Sequence, residues 1–155
     1  MKIKLKPMKP LLFILGITIS SVSAQTIDYN LKKGFIANGY DVVAYFNNKA
    51  VEGSLAFVTT FDGAKYMFSS EENVILFKQN PHKYVPQYGG YCAYAIAEKN
   101  EKVSINPKTF LIKNGKLYLF YNAWGTNTLK LWEQNNPTEL EQKADKNWKI
   151  IKFKK

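Results

Sequence analysis

One cysteine and one histidine are the residues of this chain best suited to chemistry. Cys92 follows a glycine pair in the stretch QYGGYCAYAIA at 87–97, and His82 lies ten residues earlier in NPHKY. Thiolate and neutral imidazole are both metal ligands, and together they also form the nucleophile and base of a thiol enzyme. A shared site at Cys92 and His82 therefore requires the chain to fold back between them.

Each of the two residues also has a plain structural interpretation. A lone cysteine most often fills a core as a small hydrophobe, and His82, between Pro81 and Lys83, is typical of an exposed helix end. A closed zinc site of four soft ligands is excluded by the count of cysteines and histidines. No third group is evident that would orient His82 as a base, so we predict no catalytic residues.

The glycines before Cys92 give its thiol a physical context. If Gly89 and Gly90 open a short helix, Cys92 lies in the first turn, where free backbone N–H groups and the helix dipole favour an anion. A thiol in that position shifts towards thiolate and becomes a better ligand or nucleophile. Alternatively, the glycines let the segment pass tightly under another element, with Cys92 packed beside Ala95 and Ile96.

Tyrosines crowd the same region of the sequence. Tyr91 and Tyr94 are three residues apart and would share a helix face. We predict an aromatic pocket with polar tips for a small ligand or flat cofactor, lined by Tyr45, Tyr88, Gly89, Gly90, Tyr91 and Tyr121. The alternative is that these tyrosines lie at the boundary of a small core and bind nothing.

Residues 1–24 have the organisation of a secretory signal. Four lysines precede an apolar run at 11–19, and small residues end the segment at Ala24. An apolar run of this length is too short for a membrane span, which takes about 20 residues. We expect cleavage before Gln25 and export to the periplasm or the extracellular space, with an uncleaved anchor as the alternative.

The composition narrows the classes of partner. The 155-residue chain has a formal net charge of +10 and contains no arginine, the residue that best makes bidentate contacts to bases and phosphates. We therefore expect no nucleic-acid partner and at most peripheral membrane contact. One cysteine cannot form an internal disulfide, so the core must hold the fold together, and a homodimer linked through Cys92 stays open.

Two hairpins can be predicted from their turns. Asp62-Gly63 separates β-rich runs at 55–61 and 64–68, and Asn114-Gly115 is the turn of KTFLIKNGKLYLFYN. Tyr66 and Tyr118 each stand three residues after the turn glycine. This match could mark a duplication, although any aromatic-rich hairpin would look similar.

The helices are predicted from capping signals. Ser69 and Glu72 have the spacing of a capping box before an apolar helix that ends near Pro81, and Pro137 begins the last helix. Hairpins and helices alternate along 25–155. We predict one α+β domain, with a small antiparallel sheet built from two hairpins and packed with short helices.

Four stretches form a longer pattern, namely YDVVAYF at 40–46, FDGAKYMFSSEENVILFKQNPHKYVPQYGGYCAYA at 61–95, GKLYLFYN at 115–122 and KADKNW at 143–148. The pattern resembles the YHS-domain family, and in particular its exported bacterial branch. Short YHS domains accompany copper-handling pumps, so the resemblance implies a binding module for a metal ion or small ligand. It suggests no cofactor beyond a copper-like ion.

The resemblance also implies which residues stand at the family's thiolate ligands. Short YHS domains carry cysteines in DPVCGM and FCSxxC motifs, and here Ala44, Ser69 and Asn73 occupy those places. Serine and asparagine cannot replace thiolate for Cu(I). We therefore predict an exported YHS-like binding module that acts through Cys92, with His82 as a second metal ligand. The alternative is a structural or interaction protein with Cys92 in its core.

Overall fold

The computed structural model describes residues 25–154, so the predicted signal at 1–24 lies outside the described residues. Over these residues, short α-helices surround three antiparallel two-stranded sheets, which confirms the α+β prediction. The two predicted hairpins are both present, but each forms a sheet of its own. Within 25–154, no helix combines the length and the apolar character that crossing a membrane requires.

The strands form three hairpins. The two predicted ones are β1 (Ser54–Phe61) with β2 (Ala64–Phe68), and β3 (Asn106–Lys113) with β4 (Lys116–Phe120). Their turns adopt the positive φ angles expected of Asp-Gly and Asn-Gly pairs. A third hairpin, which the sequence did not predict, consists of β5 (Asn122–Ala123) and β6 (Thr126–Asn127).

The helices are α1 (Glu71–Gln79), α2 (Pro81–Tyr84), α3 (Ala93–Lys99), α4 (Thr128–Gln134) and α5 (Pro137–Ile151). Three 3₁₀ turns accompany them, at Ile36–Gly39, Ala44–Asn47 and Gln87–Gly90. The last helix begins at Pro137, as predicted.

Two predicted helix starts are wrong by a few residues. The N-cap of α1 is Ser70, whose Oγ accepts a hydrogen bond from the backbone N–H of Asn73 at 3.2 Å, because Ser69 is used elsewhere. Gly89 and Gly90 end a 3₁₀ turn instead of opening a helix. As a result α3 begins only after Cys92, which is its N-cap residue.

Strand β4 divides the core into two parts. Because successive side chains of a strand point to opposite faces, Leu117 and Leu119 pack with the core around Phe77, while Tyr118 and Phe120 pack around Trp132. These four side chains of β4 are all buried. Both parts of the core therefore depend on the second hairpin.

The described chain contains a structural repeat. We call residues 35–84 the first unit and residues 86–134 the second unit. Strand pairs in the two units correspond at a constant offset of 52 residues, as in Val58↔Met67 and Phe110↔Leu119. Both hairpins also have a register irregularity at the same place, between residues 54 and 58 in the first and between residues 106 and 110 in the second. The Tyr66 and Tyr118 match thus reflects a shared backbone.

The segments before the hairpins repeat as well. Both units open with a 3₁₀ turn that contains three successive positive φ angles, ending at Gly39 and at Gly90. Two residues later, the backbone N–H of Asp41 bonds to Val51 O at 2.9 Å, and that of Cys92 bonds to Val103 O at 2.9 Å. Asp41 and Cys92 therefore occupy equivalent positions.

Candidate functional site

A hydrogen-bond network around Asp41 includes Ser69 and Asn73, which the YHS resemblance places at two of the family's cysteines. The Asp41 side chain is fully buried at the junction of β2 and α1. Its Oδ1 accepts from the backbone N–H groups of Val43 (2.9 Å) and Ala44 (3.3 Å). Its Oδ2 accepts from the N–H and hydroxyl of Ser69 (2.8 and 2.7 Å) and from the amide of Asn73 (2.7 Å).

This network does not fit a copper-type ion. A buried carboxylate is stable when several donors satisfy it, and Ser69 and Asn73 both donate to Asp41. They offer no thiolate, which a soft cation prefers. Among residues 25–154, no group of three or more His, Cys, Asp or Glu side chains could hold a metal ion. The sequence indicates only the local part of this network, because an aspartate side chain commonly accepts hydrogen bonds from the backbone N–H groups two and three residues later.

Cys92 lies in the core. Its side chain is fully buried, and its Sγ lies 3.3 Å from Thr128 Oγ1 and 3.4 Å from the backbone nitrogen of Tyr121, which donates to it. It makes no side-chain capping bond to α3, a helix of seven residues. A ligand, an electrophile or a second copy of the chain would reach this thiol only if the packing opened.

His82 lies elsewhere. It is exposed on α2, where its ring meets Phe61 edge to face with ring centroids 5.2 Å apart. It lines a surface cleft together with Tyr88 and Gly89, whereas Cys92 does not line that cleft. Three predicted site residues, His82, Tyr88 and Gly89, thus line one cleft. The two predicted metal ligands, His82 and Cys92, do not share a site.

The other predicted ligand residues are placed outside the cleft. Tyr45 is buried against Phe110, and its hydroxyl donates to Pro107 O at 2.7 Å. Gly90 is buried, while Tyr91 and Tyr121 are half-buried away from the cleft. These residues contribute to packing, in agreement with the alternative interpretation of the tyrosines.

The cleft has a volume of about 400 Å³ and lies between the N-terminal segment, the first hairpin turn, α2, the 3₁₀ turn at 87–90 and α5. Pockets of this size accommodate small organic ligands. Phe61 and Trp148 supply apolar surface, and Asp62, Asp145 and Lys149 supply charge.

Two tyrosine–carboxylate pairs give the cleft its polarity. The Tyr29 hydroxyl donates to Asp62, and the Tyr88 hydroxyl donates to Asp145 Oδ1 at 2.9 Å. Burial, followed by the neighbouring carboxylate, raises the pKa of each tyrosine well above its usual value. Both hydroxyls therefore stay protonated and act as hydrogen-bond donors.

Gly89 lets the 3₁₀ turn approach α5. Its φ is +60°, and a Cβ atom added there would lie 2.8 Å from Trp148 Cη2 and 3.1 Å from Asp28 O. Any side chain at this position would displace Trp148 from the cleft wall. The glycine pair is thus explained by a close approach, the second of the two interpretations given above.

Sequence reasoning missed Tyr29, Asp62, Asp145 and Trp148 as cleft residues. Asp62 is recognisable only as a turn residue. The KADKNW block contains Asp145 and Trp148, but nothing local indicates that it meets the first hairpin.

The comparisons with known proteins give one match. The model of the YHS domain matches residues 42–88, which include the first hairpin, α1 and α2 but leave nearly all of the second unit unmatched. No curated protein and no solved structure matched the chain. The chain therefore contains a YHS domain at residues 42–88.

Proposed function

We propose that this protein is a non-catalytic binding module that takes a small organic cation into the cleft between the first hairpin turn and α5. The observation that carries the proposal is the pair of carboxylates, Asp62 and Asp145, each held by a tyrosine of the same cleft. YHS domains are associated with copper handling. Here a binding role is retained and the chemistry of the ligand is changed.

Charge supports an amine-bearing ligand. The chain as a whole is strongly basic, yet the cleft carries two carboxylates that form no ion pair with another described residue. A protonated amine would satisfy these acceptors by charge-assisted hydrogen bonds. Lys149, one helical turn after Asp145, would pair with an acidic group if the ligand carries one.

The apolar walls support an organic ligand over a bare ion. The side chains of Phe61 and Trp148 line the cleft beside the carboxylates. Aromatic faces bind cations and the apolar bodies of ligands. The predicted export would place this binding outside the cytoplasm, where the ligand would be a small extracellular or periplasmic amine.

The test is calorimetric titration of the purified protein with protonated amines, with and without an aromatic body. We expect binding that weakens with salt and falls at least tenfold in Asp62→Asn and Asp145→Asn. Glu133→Gln removes an exposed carboxylate that does not line the cleft, and is the matched control. Equal affinity in the wild type and both cleft variants would refute the assignment.

A parallel measurement separates this proposal from metal binding through Cys92. Cu(I) or Ag(I) uptake should be the same in the wild type and Cys92→Ser, because the thiol is buried outside the cleft. Uptake that disappears in Cys92→Ser while the variant stays folded would transfer the binding function to the thiol.

A further inference from the structure

The hairpin of β5 and β6 is an addition peculiar to the second unit. In the first unit only Ser69 and Ser70 join β2 to α1, whereas residues 121–127 join β4 to α4. The additional residues form a tight hairpin whose turn is Trp124-Gly125. The repeat does not need this hairpin, since the first unit makes the same connection without one.

The turn presents a tryptophan to solvent. Trp124 is 95% exposed, the most exposed of the large hydrophobic residues, and its φ is +53°. Asparagine, aspartate and glycine suit such a turn, as at Asp62 and Asn114. An exposed indole ring and a positive φ are both unfavourable for tryptophan. We therefore look for its role in contact with another surface.

The hairpin is held firmly in place. The amide of Asn106 donates to Asn122 O at 3.2 Å, and the amide of Asn122 donates to Thr109 Oγ1 at 3.1 Å. The Asn127 side chain caps α4 by accepting from the backbone N–H of Leu129 at 3.1 Å. Trp124 thus extends from a braced element.

The sequence on both sides of this element is rich in lysine. Residues 102–132 contain five lysines and no acidic residue. Lys102 pairs with Asp28, and Lys113 and Lys116 pair with Glu141.

The remaining two lysines, Lys108 and Lys130, form no ion pair with another described residue and are exposed. Lys108 lies on β3 between the two residues that hold Asn122, and Lys130 lies in the first turn of α4. Both unneutralised charges are therefore on the elements that hold the tryptophan hairpin.

We propose that Trp124, Lys108 and Lys130 form a peripheral contact site for anionic lipid bilayers. Tryptophan favours the level of the headgroups at a membrane surface, and lysines near an anionic leaflet add electrostatic attraction. A single projecting aromatic residue with two cations suits shallow insertion better than a protein interface, which buries a far larger area. The site lies apart from the cleft and does not depend on its ligand.

The proposal is tested by cosedimentation of residues 25–155, the chain expected after cleavage, with vesicles of phosphatidylcholine, with and without phosphatidylglycerol. We expect binding only to the anionic vesicles, with a blue shift of tryptophan emission. Trp124→Ala should lower the partition coefficient about tenfold and abolish the shift, because Trp132 is buried in the core and Trp148 lines the cleft, apart from the proposed site. The double variant Lys108→Gln/Lys130→Gln should lower it about thirtyfold.

Matched controls separate this site from general charge and hydrophobicity. Lys65→Gln/Lys78→Gln removes two exposed lysines of the first unit, and Leu55→Ala truncates a side chain that is 76% exposed. Both should bind nearly as the wild type does. Absence of wild-type binding to anionic vesicles, equal losses in both lysine pairs, or an unchanged partition coefficient in Trp124→Ala would overturn the proposal.

Discussion

The two units of the repeat have an equivalent junction between hairpin and following helix, and each unit stabilises this junction with different interactions. In the first unit, the Asp41 carboxylate accepts five hydrogen bonds from four residues around the start of α1. In the second, the Cys92 thiol accepts one long bond from Tyr121 N–H and contacts Thr128. One junction is fixed by a buried charge and the other by packing, so the two should differ greatly in their sensitivity to mutation.

The largest effect is expected at Asp41. Asp41→Ala leaves the donors of Ser69, Asn73 and the following backbone buried without an acceptor. It should lower the free energy of unfolding by about 3–5 kcal/mol. Asp41→Asn retains the shape but directs an amide at donors, so we expect most of the same loss.

Urea denaturation measures both changes, with Glu71→Ala as a control that removes an exposed carboxylate from α1. A loss below about 1 kcal/mol in Asp41→Ala would show that the two junctions do not differ as described.

The next prediction compares two glycines with positive φ angles, Gly89 and Gly115, of which only Gly89 has close neighbours. Gly89→Ala places a Cβ against Trp148 at a φ of +60°, whereas Gly115→Ala meets nothing within 4 Å at a φ of +72°. We expect a loss of about 2–3 kcal/mol for Gly89→Ala and about 1 kcal/mol for Gly115→Ala. Thermal unfolding distinguishes them, and equal losses would mean that Trp148 moves aside freely.

Sequence reasoning succeeded where structure is determined locally. The turns at 62–63 and 114–115 are recognisable because Asp-Gly and Asn-Gly supply the positive φ angles of a tight hairpin. The turn at Trp124-Gly125 lacks that signal at its first position, and the third hairpin was therefore missed. Proline at Pro137 likewise marked the start of α5.

The cleft could not be predicted because its residues are distant in sequence. Asp62 and Asp145 line one cleft only after α5 packs against the 3₁₀ turn at 87–90, an arrangement that no local pattern encodes. The burial of Cys92 has the same origin, because Tyr121 directly follows β4 and Thr128 begins α4. The resemblance to the YHS family placed Ala44, Ser69 and Asn73 at its cysteines, but it did not show that Asp41 accepts hydrogen bonds from all three.

Tyr66 and Tyr118 are equivalent tyrosines with unequal partners. The Tyr118 hydroxyl donates to Glu141 Oε1 at 2.6 Å, whereas the buried Tyr66 hydroxyl has no hydrogen-bond partner in the described part of the chain. Tyr118→Phe should cost about 1–2 kcal/mol of unfolding free energy. Tyr66→Phe should cost nothing or stabilise slightly, and equal losses would contradict the comparison.

The difference between these two variants should depend on pH. Burial acts to raise the pKa of Glu141, but hydrogen bonds from Tyr118, Lys113 and Lys116 outweigh it and hold the pKa below 4.5. A depressed carboxyl pKa stabilises the fold above pH 4.5, and this contribution is lost as the pH falls through the folded-state value.

The Tyr118 pKa is raised above 10.0 by burial and then by its bond to Glu141. Its contribution is complete below pH 10 and is lost as the pH rises further. Urea denaturation across the pH range should therefore show the full difference between Tyr118→Phe and Tyr66→Phe only between these limits. A difference that is unchanged well below pH 4 would show that Glu141 does not act as a charged acceptor.

A much smaller effect than at Asp41 is expected at its counterpart, Cys92. Serine can keep the contacts with Tyr121 N–H and Thr128, so Cys92→Ser should cost only about 1 kcal/mol, through burial of a hydroxyl in place of a thiol. Iodoacetamide should label the native protein no faster than the chain opens, because the side chain is fully buried. Labelling should therefore accelerate with urea in parallel with unfolding. Rapid labelling without denaturant would mean that the second junction opens on its own, and that its thiol, unlike the Asp41 carboxylate, is available for chemistry.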